Sequence, residues 1–293
     1  MKTKFKSTIR AACHPFNGVV CAGAVMLISS SAQAQNLFVA NAANGTITQI
    51  TPGGVQSTFA SGLSFPLSLA FDSQGDLFEA DEGSGNIYEF TSSGVKSTFA
   101  SGLGSPEGLA FNSAGDLFVG TSADIFEYTP AGVKSTFAAG AVGYPFGLAF
   151  NSAGDLFVNG SSIYEYTPAG VRSIFAAGIG NPSGLAFNGV GDLFAVGSGT
   201  IYEYTPGGVK STFVAGGLLG NPAGLAFDST DDLFATTGST IIEIAPDGVK
   251  STFAGQLSDA TGLAFQGVTL PVPEPSALGL LAVSVTALLV RRR

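Results

Sequence analysis

Six copies of one short anchor divide the chain at nearly even intervals. They are Asn36-Leu37-Phe38, Asp76-Leu77-Phe78, Asp116-Leu117-Phe118, Asp155-Leu156-Phe157, Asp192-Leu193-Phe194 and Asp232-Leu233-Phe234, at successive steps of 40, 40, 39, 37 and 40 residues. A unit of this length cannot bury its own apolar face, so its copies must stack on one another. A period near forty residues points to a propeller of four-stranded blades.

One unit read in full shows why. Pro106 to Phe111, Asp116 to Val119, Ile125 to Pro130 and Val133 to Ala138 are runs of four to six residues, each bounded by Gly, Pro, Asn or Ser. Such punctuation leaves room for strands and none for a helix, so each unit is predicted to hold four strands. Side chains alternate along a strand, so Gly108 and Ala110 share one face of the first strand while Leu109 and Phe111 share the other. Large residues of one blade can then fill the space beside small residues of the next. In the second strand Leu117 and Phe118 are adjacent, so both faces are apolar, as for a sheet stacked between two neighbours.

The first copy starts on a second-type strand, Asn36 to Ala40, and the last recognisable strand, Gly262 to Phe265, is of the first type. Pairing these two completes the first blade and leaves no open edge. The expected fold is all-β: a six-bladed β-propeller over residues 35–270, closed by its C-terminal strand.

The recurring Pro-x-Gly-Leu-Ala-Phe-(Asp or Asn)-Ser-x-Gly-Asp-Leu-Phe, seen at Pro106 to Phe118 and Pro145 to Phe157, resembles the NHL repeat and the six-bladed propellers of the gluconolactonase and streptogramin-lyase kind. The resemblance spans roughly residues 36 to 266. It implies the fold, and it leaves activity open because this architecture serves lyases, lactonases and plain binding proteins.

The two ends read as addresses. Lys2, Lys4, Lys6 and Arg10 precede an apolar run from Gly18 to Ile28 and then Ala32-Gln33-Ala34, the pattern of a secretory signal over residues 1–34. Cys21 lies at the start of that run, where a lipid-attachment cysteine would lie at its end. At the other end, residues 271–293 combine Val272-Pro273-Glu274-Pro275, an apolar run from Ala277 to Val290, and Arg291 to Arg293. This arrangement resembles the PEP-CTERM sorting signal of Gram-negative bacteria, which implies processing by the membrane enzyme exosortase. Fourteen uncharged residues reach about 21 Å as a helix, short of a comfortable bilayer span, so a transient membrane anchor is expected, with a permanent anchor as the alternative. The arginines would stay on the cytoplasmic side, leaving the propeller outside, at the cell surface or in the extracellular matrix.

Composition narrows the chemistry. The single histidine, His14, and both cysteines, Cys13 and Cys21, fall inside the signal segment. The exported chain would therefore lack the side chains for Ser-His-Asp or Cys-His catalysis and for imidazole or thiolate metal sites. It also departs from the streptogramin-lyase pattern, where the resemblance would require a catalytic histidine. Between residues 35 and 270 there are 20 acids and five bases, so the domain carries a net charge of 5 minus 20, or −15, and nucleic acid is a poor partner.

The five bases, Lys96, Lys134, Arg172, Lys210 and Lys250, each follow an acid by seven residues: Glu89, Glu127, Glu165, Glu203 and Glu243. They are expected to form cross-strand pairs on an outer hairpin, with Gln49 and Gln56 as the neutral counterpart in the first blade. The repeated Asp72-Ser73-Gln74-Gly75-Asp76 element lacks the acid pattern of an EF-hand loop and reads as a hairpin turn.

The copies disagree in the loops after the second strand and before the first. These loops should ring one mouth of the central channel and bring together an acidic sector, Asp81, Glu82 and Glu107, and an aromatic sector, Phe65, Tyr144 and Phe146, with Asn41 and Asp259 nearby. Aromatic faces with carboxylates and amides suit a sugar, or one calcium ion as in lactonase-type propellers. Three functions follow as expectations: a non-catalytic binding module for exopolysaccharide or a cell-surface protein, a calcium-dependent lactonase or hydrolase, and a structural coat or adhesion component.

Overall fold

In the computed structural model the described residues are 35–140, 143–180, 182–215 and 223–267. They form six four-stranded antiparallel sheets. Blade 3 is representative: Pro106–Phe111 lies innermost, followed outward by Leu117–Thr121, Asp124–Tyr128 and Lys134–Ala139. The second strand is buried along its whole length, the third is buried at two of five positions, and the outermost begins exposed. That gradient matches the apolar pattern of the repeat.

Closure follows the expected route. Ala260–Phe265 pairs antiparallel with Leu37–Asn41, with Leu37 opposite Phe265, and so supplies the inner strand of blade 1. The Gln266 N–H extends the ladder by donating to the Asn36 carbonyl at 3.0 Å. Both edges of the linear array are consumed by this pairing.

Neighbouring blades meet as small against large. Ala110 of blade 3 lies in one apolar cluster with Leu148, Phe150 and Leu156 of blade 4. A Cβ at Gly108 would collide with the Pro145 and Phe146 carbonyls and with Leu148, so glycine is required where adjacent inner strands approach. Blade 2 has Ser68 in this slot, and its Oγ accepts the Leu109 N–H at 3.1 Å.

An aromatic ladder repeats this packing around the ring. Phe118 meets Phe150 of the next blade edge-on at 4.9 Å and Phe137 of its own outermost strand at 4.9 Å. The same contact recurs at every interface, including Phe234 with Phe265 at 4.8 Å, where the last strand seals the circle. Each such pair contributes about 0.5–1.5 kcal/mol beyond simple burial.

The outer hairpin departs from expectation. Phe90 lies opposite Lys96 and Glu89 opposite Ser97, so Glu89 and Lys96 occupy successive positions on the ladder and point to opposite faces. The acid instead accepts from the serine hydroxyl, as in Ser211 to Glu203 at 3.0 Å and Ser251 to Glu243 at 3.1 Å. The base lies over an aromatic ring two residues before the hairpin turn: Lys96 Nζ is 3.5 Å from the centre of Tyr88, and Lys134 and Lys210 sit at 3.6 Å from Phe126 and Tyr202. In blades 2, 3 and 5 the expected ion pairs are thus replaced by cation–π contacts, whereas Lys250 has Ile242 where those blades carry the ring.

Among the described residues no helix is long and apolar enough to cross a membrane. The signal segment 1–34 and the sorting motif Val272, Pro273, Glu274 and Pro275 lie outside the described residues.

Candidate functional site

The channel has two mouths. The upper one lies where the inner strands begin and the lower one where they end. The upper mouth is tied together by backbone bonds between the two variable loop sets: Glu82 N–H donates to the Phe65 carbonyl at 3.3 Å, Gly83 to Ser64 at 2.8 Å, and Ala42 to Asp259 at 3.0 Å. The two loop sets do share one mouth.

Several residues expected to face a ligand are instead used by the fold. Asp81 is fully buried; its Oδ2 accepts the Ser64 N–H at 2.7 Å and its Oδ1 the Ser84 N–H at 3.0 Å. Asn41 is buried too, with its amide donating to Thr48 Oγ1 at 3.0 Å and its carbonyl accepting from Ser258 N–H at 3.3 Å. Both side chains satisfy loop backbone that would otherwise be stranded.

The aromatic sector is more available. Tyr144 is 77% exposed and Phe65 46%, the two exposed aromatic side chains among the described residues. Phe65 holds φ at 63°, and the equivalent Ser105 and Asp259 hold 45° and 54°. This left-handed backbone is costly for a bulky residue, on the order of 1–3 kcal/mol, so the surrounding loops impose the outward ring. Phe146 is half-buried and turns inward, lining a void of about 70 Å³ at the glycine waist of the channel.

Glu107 occupies the second position of its inner strand, where other blades carry Leu67, Phe146, Ser183, Ala223 and Thr261. It is buried, and its Oε1 has no hydrogen-bond partner. Burial, reinforced by the Glu82 charge, pushes its carboxyl up to about 7.

A second carboxyl went unread in the sequence. Glu79 sits mid-strand in Leu77–Asp81, where the other blades have Val39, Val119, Val158, Ala195 and Ala235. It is fully buried, both oxygens lack partners, and its cross-strand neighbours are Leu69 and Tyr88. Burial, and then the Asp81 charge, drives it up to about 9 against a partial offset from Lys96, so it is neutral at physiological pH. The signal was present as one acid in an otherwise aliphatic repeat position.

The calcium expectation does not fit these oxygens. Asp81 gives both of its own to backbone N–H groups, and among the described residues no group of three or more His, Cys, Asp or Glu is placed to hold a metal ion. Calcium needs six to eight oxygen ligands. The Asp72–Asp76 element is the turn it was read as: Asp72 Oδ1 accepts from Gln74 and Asp76 N–H, each at 2.9 Å, and Gly75 takes φ of 85°.

The lower mouth, by contrast, opens into a cone of about 440 Å³ lined by the Ala-Phe ends of all six inner strands. Nothing in the sequence reading pointed there, because repetition rather than variation marks it.

Solved structures share this architecture. A chain of the nidogen/laminin complex matches with a TM-score of 0.72 at 20% identity, over 79% of this chain and 98% of that one. Streptogramin B lyase matches at 0.62 and 16%, over 80% and 88%, and a gluconolactonase from Xanthomonas campestris at 0.63 and 15%, over 79% and 88%. No family model matches the chain, and no curated protein does. At these identities the likeness establishes the fold, a six-bladed propeller.

Proposed function

We propose that this chain is an exported, exosortase-sorted propeller that acts as a non-catalytic binding module at the cell surface or in the extracellular matrix, taking exopolysaccharide at its upper mouth. The carrying observation is the pair of outward rings, Phe65 and Tyr144, at a mouth where Asp81 is already committed to loop backbone. An exposed ring beside hydrogen-bonding loop backbone offers a flat apolar face to a sugar ring and polar groups to its hydroxyls. The presence of a nidogen/laminin chain among the structural neighbours supports a binding role for such a ring.

Arrays of bacterial polysaccharides probed with the purified full chain test this reading. Saturable binding that falls at least about tenfold in Phe65→Ala/Tyr144→Ala supports it; absence of saturable binding to any glycan sinks it. For sorting, replacing Pro273, Glu274 and Pro275 by alanine is expected to retain the C-terminal segment, read as added mass in the exported protein.

A second reading, a lactonase- or lyase-like enzyme as the other neighbours are named, is favoured by Glu107 alone. A carboxyl held near 7 in a channel mouth can exchange protons at working pH. Turnover of a lactone panel that disappears in Glu107→Gln would establish it.

A further inference from the structure

We propose that the lower mouth binds a cationic amphiphile, with an apolar body in the cone and a positive group at the rim. This site is separate from the upper mouth and stands whether or not that mouth binds sugar.

The cone has the volume of a small-molecule site, about 440 Å³. Its wall alternates Ala and Phe, as in Ala110 with Phe111 and Ala186 with Phe187. Every inner strand has Ala at this position, so no side chain fills the axis. One step up, leucines such as Leu148 and Leu263 line both the cone and the small waist void. The result is an apolar cone, open at the lower mouth, of a size that accepts an apolar guest.

The rim selects charge. The inner strands run out into Asp72, Asn112, Asn151, Asn188, Asp228 and Gln266, and the turns return through Asp76, Asp116, Asp155, Asp192 and Asp232. Asp72 lines the cone and spends Oδ1 on its own turn, which leaves Oδ2 without a protein partner. The described bases all begin outermost strands or lie against their hairpin rings, away from the axis. Asp72 is the acid that lines the cone itself, and with the acidic excess of the domain behind it, low-dielectric walls concentrate cations at this opening.

The chain lacks tryptophan, so Ser113→Trp places a single reporter on the exposed rim. Titration with decyltrimethylammonium, decyl maltoside and decyl sulfate below their micelle concentrations reads the site by fluorescence and calorimetry. The expected result is one saturable site for the ammonium, at least about tenfold tighter than for the sulfate, with the preference narrowing in about 0.5 M salt and in Asp72→Asn/Asp228→Asn. Ala186→Leu should abolish binding; should it melt, Ala114→Tyr on the exposed turn replaces it as the blocking variant. Equal binding of ammonium and sulfate, retention of binding in the folded blocking variant, or no saturable site would each overturn the proposal.

Discussion

The two mouths of this channel are made by opposite means. The lower mouth is one element copied six times, and its carboxylates sit in exposed turns where their partners are local, as Asp116 accepts from Asn112 at 3.0 Å. The upper mouth is built from residues that occur once, and three of its acids or near neighbours, Glu79, Asp81 and Glu107, are buried. Repetition gives a surface whose cost is small and shared, whereas singular residues store their cost in one place. Blades 2 and 3 therefore carry unsatisfied polar groups that the sixfold pattern would never generate.

Glu79→Val breaks this contrast most sharply, because it restores the residue type of the other five blades. With the carboxyl near 9 when folded and at its ordinary 4.5 when unfolded, both states are protonated below pH 4.5, so ionisation contributes nothing there and only the pH-independent cost of two buried, unpartnered oxygens remains. As pH rises from 4.5 towards 9 the unfolded state releases its proton first, so stability falls by about 1.4 kcal/mol per pH unit and levels off beyond 9. The ionisation deficit at pH 7 is on the order of 3 kcal/mol, so the gain in Tm from valine should be larger at pH 7 than at pH 4 by roughly 6–12 °C. A parent-minus-variant difference that does not move with pH would mean Glu79 has found a partner.

Asp81 tests the other side of the comparison. Removing a buried carboxylate that accepts two N–H groups leaves both donors stranded, so Asp81→Ala is expected to cost about 2–4 kcal/mol. Asp116→Ala, in a half-exposed lower turn, should cost about 1 kcal/mol or less. Denaturant midpoints at pH 7 compare the two; equal losses would show that the upper mouth is no more dependent on its singular acids than the lower one.

The sequence made the ring legible because periodicity is a property of many residues at once. Gly108, Leu109, Ala110 and Phe111 recur so regularly that strand count, blade number and even the pairing of the first strand with the last follow from alternation and edge closure. The site was less legible because it depends on single side chains and on register. Asp81 reads as a free acid until the Ser64 and Ser84 amides are placed around it, and Glu89 reads as the partner of Lys96 until the hairpin sends them to opposite faces. The cone escaped notice for a different reason: empty space has no residue, and six alanines look like packing rather than a boundary.

Glu107 sharpens the upper mouth further. Isotope-edited NMR should find its carboxyl titrating near 7. Glu82→Gln removes the second cause of that shift, so the Glu107 midpoint should move down while remaining raised by burial. A midpoint that begins near 4.5 would show that water reaches the carboxyl and that the mouth is open at this point.

The smallest effect lies at Tyr204, in the half of the molecule otherwise governed by repetition. It ends its strand opposite Leu193, in the slot held by Phe90 in blade 2, and its hydroxyl is buried without a partner. Burial, then the neighbouring Tyr202, pushes that hydroxyl up to about 12, so it remains neutral and only desolvation counts. Tyr204→Phe removes the stranded group and keeps the ring against Phe175 at 5.7 Å. A gain of about 1 kcal/mol in urea unfolding is expected, independent of pH between 5 and 9. If the variant is instead destabilised, the hydroxyl is bonded in solution, and the lower half also contains a singular polar contact that its repeats conceal.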